Sequence, residues 1–92
     1  MKAHVMAWHD TETNDYRALV DCVREDEYRT PGGAACGDSV AHVGMWVMAI
    51  IADLGVADED VHTTNLGEMS GPSFAAVRAK AALVDMQTQG AI

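Results

Sequence analysis

Aromatic residues are scarce in this chain, with two Trp, two Tyr and one Phe among 92 residues. Apolar residues reach an ordinary 49%, but most are Ala, Val and Met, so the core they can form is thin. A single domain of this size buries only about 60–65% of its unfolded surface. Positive charge is also scarce: six Lys and Arg stand against 14 Asp and Glu, for a net charge of −8. That balance argues against direct binding to nucleic acid or to an anionic membrane surface. The two cysteines, Cys22 and Cys36, come with no secretory signal, because Met1-Lys2 leads into mixed sequence. A reduced, cytoplasmic setting with two free thiols is the expectation. Neither CxxC nor HxxxH occurs among the cysteines and the four histidines, so no metal site and no cofactor are expected. There is no repeat, no low-complexity tract and no linker, and residues 1–92 read as one domain.

The strongest positive signal is residues 39–55 (SVAHVGMWVMAIIADLG). Val40, Val43, Val47, Ile50, Ile51 and Leu54 recur at the three-and-four spacing of one helical face. Met45, Trp46, Met48, Ala49 and Ala52 make the opposite face apolar too, and a helix apolar all round must be covered on both sides. The stretch is shorter than the roughly 20 residues a bilayer span needs, so it reads as a buried helix. Met45, Trp46 and Met48 are expected to be covered by a dimer partner or by the N-terminal segment. Gly44, mid-helix, predicts close approach of a neighbouring backbone.

Other elements follow from caps and breakers. Residues 2–10 (KAHVMAWHD) fit either a short strand or a helical turn. The polar run 11–15 predicts a helix start near Asn14. Tyr16, Leu19, Val20 and Val23 would then form its buried stripe, with Arg17/Asp21 and Glu25/Arg29 paired outside. Pro31-Gly32-Gly33 predicts a turn, Asp38 or Ser39 a cap, and Gly55 a stop. Asp58, Glu59 and Asp60 favour a short helix start. Ser70-Gly71-Pro72 favours a last helix with Phe74, Val77, Ala81 and Val84 inward, stopped by Gly90. The expected fold is all-α, a small helical bundle with helices near 14–28, 39–54, 58–66 and 72–89, and with the N-terminal strand left open.

Several constellations are weighed for chemistry. Cys36 precedes a helix whose dipole could lower its pKa, with His42 or His62 as base, but no orienting residue or oxyanion motif accompanies it. A small, buried or half-buried thiol is the preferred reading. Residues 60–89 could form a helix-turn-helix with Ser73, Arg78 and Lys80 on DNA, yet two cations are few for that task. Gly37-Asp38-Ser39-Val40 resembles the Asp-Ser-Leu motif of acyl carrier proteins, and the acidic balance, size and residues 56–60 are similar as well. The resemblance covers about a quarter of the chain and implies phosphopantetheine on Ser39; plain capping is preferred.

Charge distribution carries the functional expectation. No Lys or Arg lies between Arg29 and Arg78, a span that holds Asp38, Asp53, Asp58, Glu59, Asp60 and Glu68. Glu25, Asp26 and Glu27 form a second acidic knot. Together with Asp58, Glu59 and Asp60 they are the expected acidic contact surface for a basic protein. The apolar face of Met45, Trp46 and Met48 is the other candidate contact. Low Lys with high Ala, Asp and Val suggests a GC-rich bacterial or phage coding sequence. The function expected is a non-enzymatic, cytoplasmic interaction module. The specific form is a phage- or mobile-element-encoded inhibitor of a basic nucleic-acid-handling complex, of the anti-CRISPR or DNA-mimic type. A homo-oligomerising structural subunit is the chief rival, and the carrier protein comes third.

Overall fold

The computed structural model describes residues 1–26 and 28–88. Its elements are β1 (Lys2–Asp10), β2 (Asp15–Val23), β3 (Arg29–Gly37), α1 (Val40–Leu54), β4 (Val61–Met69) and α2 (Phe74–Thr88), with a 3-10 turn at Asp58–Asp60. The strands form one four-stranded sheet in the order β3-β2-β1-β4. β1 pairs antiparallel with β2 and β2 with β3, while β4 runs parallel to β1. The fold is therefore mixed α/β, which overturns the all-α, helical-bundle expectation.

Each misassigned segment has a physical cause. β2 (DYRALVDCV) is covered on both faces, so it lacks the clean alternation of a half-exposed strand, and its apolar positions also fit a helical stripe. The polar run 11–14 is the β1–β2 hairpin loop, where Asn14 adopts φ 56° and the Asp10 carboxylate accepts the Glu12 amide at 3.0 Å. Cap-forming residues are also turn-forming residues, because both roles need a short side chain that bonds nearby backbone. The Pro31-Gly32-Gly33 segment lies inside β3, an edge strand, where proline's missing N–H is tolerated and a register shift opposite Val20 and Asp21 absorbs the extra residue. Residues 58–66, expected as a helix, give one 3-10 turn and then β4, whose Val61, Thr63 and Thr64 suit a strand.

The helices cover opposite faces. α1 lies over β3 and β2; α2 lies over β4 and β1. One core joins Val5, Val20 and Ala35 to Val43 and Ile51 of α1. The other joins Met6, Trp8, Leu19 and Leu66 to Val77 and Ala81 of α2. Ser39 caps α1 by accepting the His42 amide at 3.1 Å, and Gly55 ends it at φ 71°. Ser73, rather than Ser70, caps α2 by accepting the Ala76 amide, and Phe74 is exposed instead of inward. The expected end of that helix at residues 89–90 lies outside the described residues.

Close helix approach comes from β3, not from α1. A Cβ on Gly32 would sit 3.1 Å from Leu54 Cδ1 and 3.1 Å from the Val20 carbonyl, and one on Gly33 would sit 3.2 Å from Ile50. Gly44 faces open space, with nothing within 4 Å of a Cβ built there, so the expected backbone crossing at Gly44 is absent. Met45, Trp46 and Met48 are 71%, 55% and 73% exposed, so the N-terminal segment, which is β1 in the sheet, does not cover them.

Candidate functional site

The parallel and antiparallel registers put the acidic residues at one end of the molecule. β1 begins beside the end of β2 (Lys2↔Val23), β2 ends beside the start of β3 (Val23↔Arg29), and β4 begins beside β1 (Ala3↔Val61). Glu25 and Asp26, in the β2–β3 turn, and Asp58, Glu59 and Asp60, leading into β4, therefore share that end. Glu27 lies outside the described residues. Both helix C-termini point the same way and add their negative dipole ends. The start of β1 separates the two acidic groups by two strand spacings, about 10 Å. Lys2 and Arg24 sit among them, so the negative field is interrupted rather than continuous.

On the α1 face, β4 is left uncovered: Thr63 and Asn65 are exposed there, whereas Ala3 and Val5 of β1 are buried in the core with α1. An open groove runs there beside α1, made of two hollows that share Val5, Val47 and Thr63 as walls. Its lining is mostly apolar, with Ala7, Val43 and Gly44 toward one end. Glu68, His9 and Arg17 reach that end and Asp58 the other. Of the acidic and apolar candidates read from the sequence, Asp58 lines this groove and Met48 stands at its rim.

The α2 face carries a different kind of site. His4 on β1 and His62 on β4 are direct register partners, and their rings stack at 4.8 Å between centroids. Above them Asp85 of α2 accepts the Thr64 hydroxyl at 2.8 Å and His62 Nε2 at 3.1 Å, with His4 Nε2 at 3.6 Å. Arg29 Nη1 donates to His4 Nδ1 at 3.0 Å, so the His4 proton sits on Nε2 and is donated to Thr64 Oγ1 at 2.8 Å. Burial, then the Arg29 and His62 charges, push the His4 pKa below its ordinary value. Burial alone would raise the Asp85 carboxyl, but the Thr64 and His62 hydrogen bonds win and hold it low. Beside this cluster, fully buried Asp21 is held by a bidentate Arg78, Nε to Oδ2 at 2.9 Å and Nη2 to Oδ1 at 3.0 Å, with Arg29 at 3.8 Å.

Arg78, considered from sequence as a DNA contact, is therefore turned into the sheet. The helical pairs Arg17/Asp21 and Glu25/Arg29 do not form either: Arg17 bonds Asp15, and Arg29 reaches His4 and Asp21. Cys36 donates its thiol to Asp15 at 3.1 Å, and that bond together with burial pushes its pKa up, opposite to an activated nucleophile. His42, its suggested base, is bonded to Asp38, and His62 lies at the α2 cluster. Ser39 is the α1 cap, directly after three strands, which removes the helical setting on which the carrier resemblance rests.

The His4–His62–Asp85 cluster is invisible to spacing rules because its members are 58 and 23 positions apart and meet only through parallel pairing and helix docking. The one available signal was two histidines flanked by β-branched residues, in His4-Val5 and His62-Thr63-Thr64. Comparison with known protein families, with curated proteins and with solved structures finds no match.

Proposed function

We propose that this chain is a non-enzymatic protein-interaction module whose groove beside α1 takes an amphipathic helix of a basic partner. The observation that carries the reading is the uncovered β4 strand beside α1, where Thr63 and Asn65 stay exposed next to a mostly apolar hollow. A partner helix laid along β4 would pack beside a helix already in place, with its apolar stripe toward the hollow. The walls at Val40, Val47 and Met48 offer apolar burial, while Asp58 and Glu68 stand at the two ends to meet Lys or Arg. Rim charges of this kind mainly raise the association rate and select the sign of the partner. An inhibitor of a basic nucleic-acid-handling complex is the specific form of this proposal, and Lys2 and Arg24 favour a mixed apolar and acidic contact over pure phosphate mimicry. A reduced, cytoplasmic setting belongs to the same proposal and accords with two free cysteines. No helix among the described residues is long and apolar enough to cross a membrane.

A photo-crosslinking residue at Val47 or Thr63, with controls at Ala34 and Gln87, tests the groove in cells of the native host. The expected result is a discrete adduct with a basic protein from the groove positions alone, lost when Asp58 and Glu68 are both changed to Lys. Equal labelling from the control positions, or adducts unaffected by the charge reversal, would overturn the proposal. A second reading, self-association, is favoured by the exposed Met45, Trp46 and Met48 on the outer side of α1. An adduct between two copies of this chain would establish that reading instead.

A further inference from the structure

We propose that His4, His62 and Asp85 form a binding site for a divalent transition-metal ion, zinc by the character of its donors. Two imidazoles and one carboxylate are a common three-residue set for such ions, leaving further positions for water or substrate. Bonds of 2.0–2.1 Å require neighbouring ligand atoms to lie about 3.0–3.4 Å apart, between octahedral and tetrahedral angles. Here Asp85 Oδ1 lies 3.1 Å from His62 Nε2 and Asp85 Oδ2 lies 3.6 Å from His4 Nε2, and all three donor atoms fall within 4.8 Å of one another. For one ion to take all three donors, the stacked rings must tilt until their Nε2 atoms converge, closing separations of up to 4.8 Å.

The surroundings are suited to an ion. The two histidines are fixed on adjacent strands by the β1–β4 register, and α2 fixes Asp85 above them, so all three ligands sit on rigid elements. The His4 ring is buried, whereas the His62 side chain is 62% exposed, which leaves an entry path and an open coordination position on the solvent side. The last turn of α2 adds the negative end of its dipole.

One contact opposes the ion in the metal-free arrangement. With Nε2 of His4 on the metal, the neutral ring carries its proton on Nδ1, where Arg29 Nη1 now donates at 3.0 Å. Arg29 must release that nitrogen, and Asp21 Oδ2, already 3.8 Å from the same Nη1, is ready to receive it. In the bound state each ring carries its hydrogen on Nδ1 and offers the Nε2 lone pair to the ion. Arg29 thus acts as a latch on the site, and its removal is expected to tighten binding, a result that nonspecific adsorption to surface histidines would not give.

The test uses the full chain after treatment with EDTA, titrated with Zn²⁺ by calorimetry and with Co²⁺ by visible absorption. One Zn²⁺ per chain, bound at micromolar concentration or tighter, is expected, with the Co²⁺ spectrum of a site containing nitrogen ligands. Because His4 is buried, the decisive variants are His62→Ala and Asp85→Asn, with folding checked by circular dichroism. Each should weaken Zn²⁺ binding by about 100-fold or more, while Arg29→Gln should strengthen it by roughly 10-fold. His9→Ala and His42→Ala should leave it unchanged. The proposal fails if no saturable binding occurs. It also fails if folded His62→Ala and Asp85→Asn bind like the parent, or if His42→Ala abolishes binding.

Discussion

On the face under α1, the inward residues of β1 are Ala3, Val5 and Ala7, and those of β2 include Ala18 and Val20. On the face under α2, the same strands present His4, Met6, Trp8 and Asp10, then Arg17, Leu19 and Asp21. One face is held by apolar contact alone and leaves its edge strand, β4, uncovered. The other buries Asp21, His4 and Thr64 among hydrogen-bonded partners, with exposed His62 at its rim. Apolar packing tolerates an open edge because each contact is small and local. A buried charge does not, since an unmatched partner costs its full desolvation. The α2 face is therefore the one that single substitutions should damage most, and the α1 face the one free to bind a partner.

Removing Arg78 is expected to have the largest effect. Arg78→Ala leaves Asp21 buried with only Arg29 at 3.8 Å to compensate. Breaking a buried pair commonly costs 3–5 kcal/mol, and the partial exposure of Arg78 puts this case near about 3 kcal/mol in denaturant unfolding. Replacing both partners, Asp21→Leu with Arg78→Met, should recover most of that loss. If Arg78→Ala unfolds at the parent midpoint, the two faces do not differ in the way described.

The next effect separates the two places where close packing was in question. Gly32→Val forces a side chain against the Val20 carbonyl and Leu54, and overpacking of this kind costs about 1–3 kcal/mol. Gly44→Ala meets nothing and removes a helix-weakening glycine, so it should stabilise by up to about 1 kcal/mol. Opposite signs in thermal unfolding are the expected result. Equal signs would mean that α1 approaches the sheet through its own glycine after all.

The part of the fold legible in the sequence was the part with a single strong period. α1 announces itself by apolar residues around its full circumference and by Ser39 and Gly55 at its ends. β2 does not, because residues facing two cores give no alternation to read. β3 disguises itself as a loop, since the glycines that let α1 approach are the same residues that break strands elsewhere. Of the candidate surfaces, Asp58 and the exposed Met45–Met48 face could be named from sequence because charge and hydrophobicity are local properties. The His4–His62–Asp85 cluster could not, because parallel strand register is set by tertiary pairing and leaves no spacing in the chain.

Acid should weaken the α2 face in two stages. The folded pKa of His4 lies below its ordinary 6.5, so the unfolded chain takes up a proton first as pH falls. Stability is then lost from about pH 6.5 down to the folded value, since the unfolded state binds more protons in that window. Asp10, Asp15 and Asp85 have folded pKa values below their ordinary 3.8. Their contribution is present above that value and is lost as pH falls through it toward the folded ones. Urea midpoints measured against pH in EDTA should therefore drop once below pH 6.5 and again below pH 4. His4→Gln should remove the first drop and keep the second; a first drop that persists would assign it to another group.

The smallest effect on stability is expected on the outer side of α1, and it bears on what that face is for. Met45 and Met48 are 71% and 73% exposed, so folding removes little of either side chain from water. Changing both to Gln should shift the unfolding free energy by no more than about 0.5 kcal/mol, as surface substitutions do. That near-silence holds only while the chain is a monomer. A second copy seated on α1 would bury these residues, make the melting temperature rise with protein concentration, and turn the same double change into a dissociating one. Sedimentation and concentration-dependent melting of the parent and the Met45→Gln, Met48→Gln variant distinguish the cases. A monomer with unchanged stability leaves the face open beside the groove, available to widen the contact made there. A concentration-dependent parent that the variant converts to monomer would move the interaction surface from the groove to the outer side of α1.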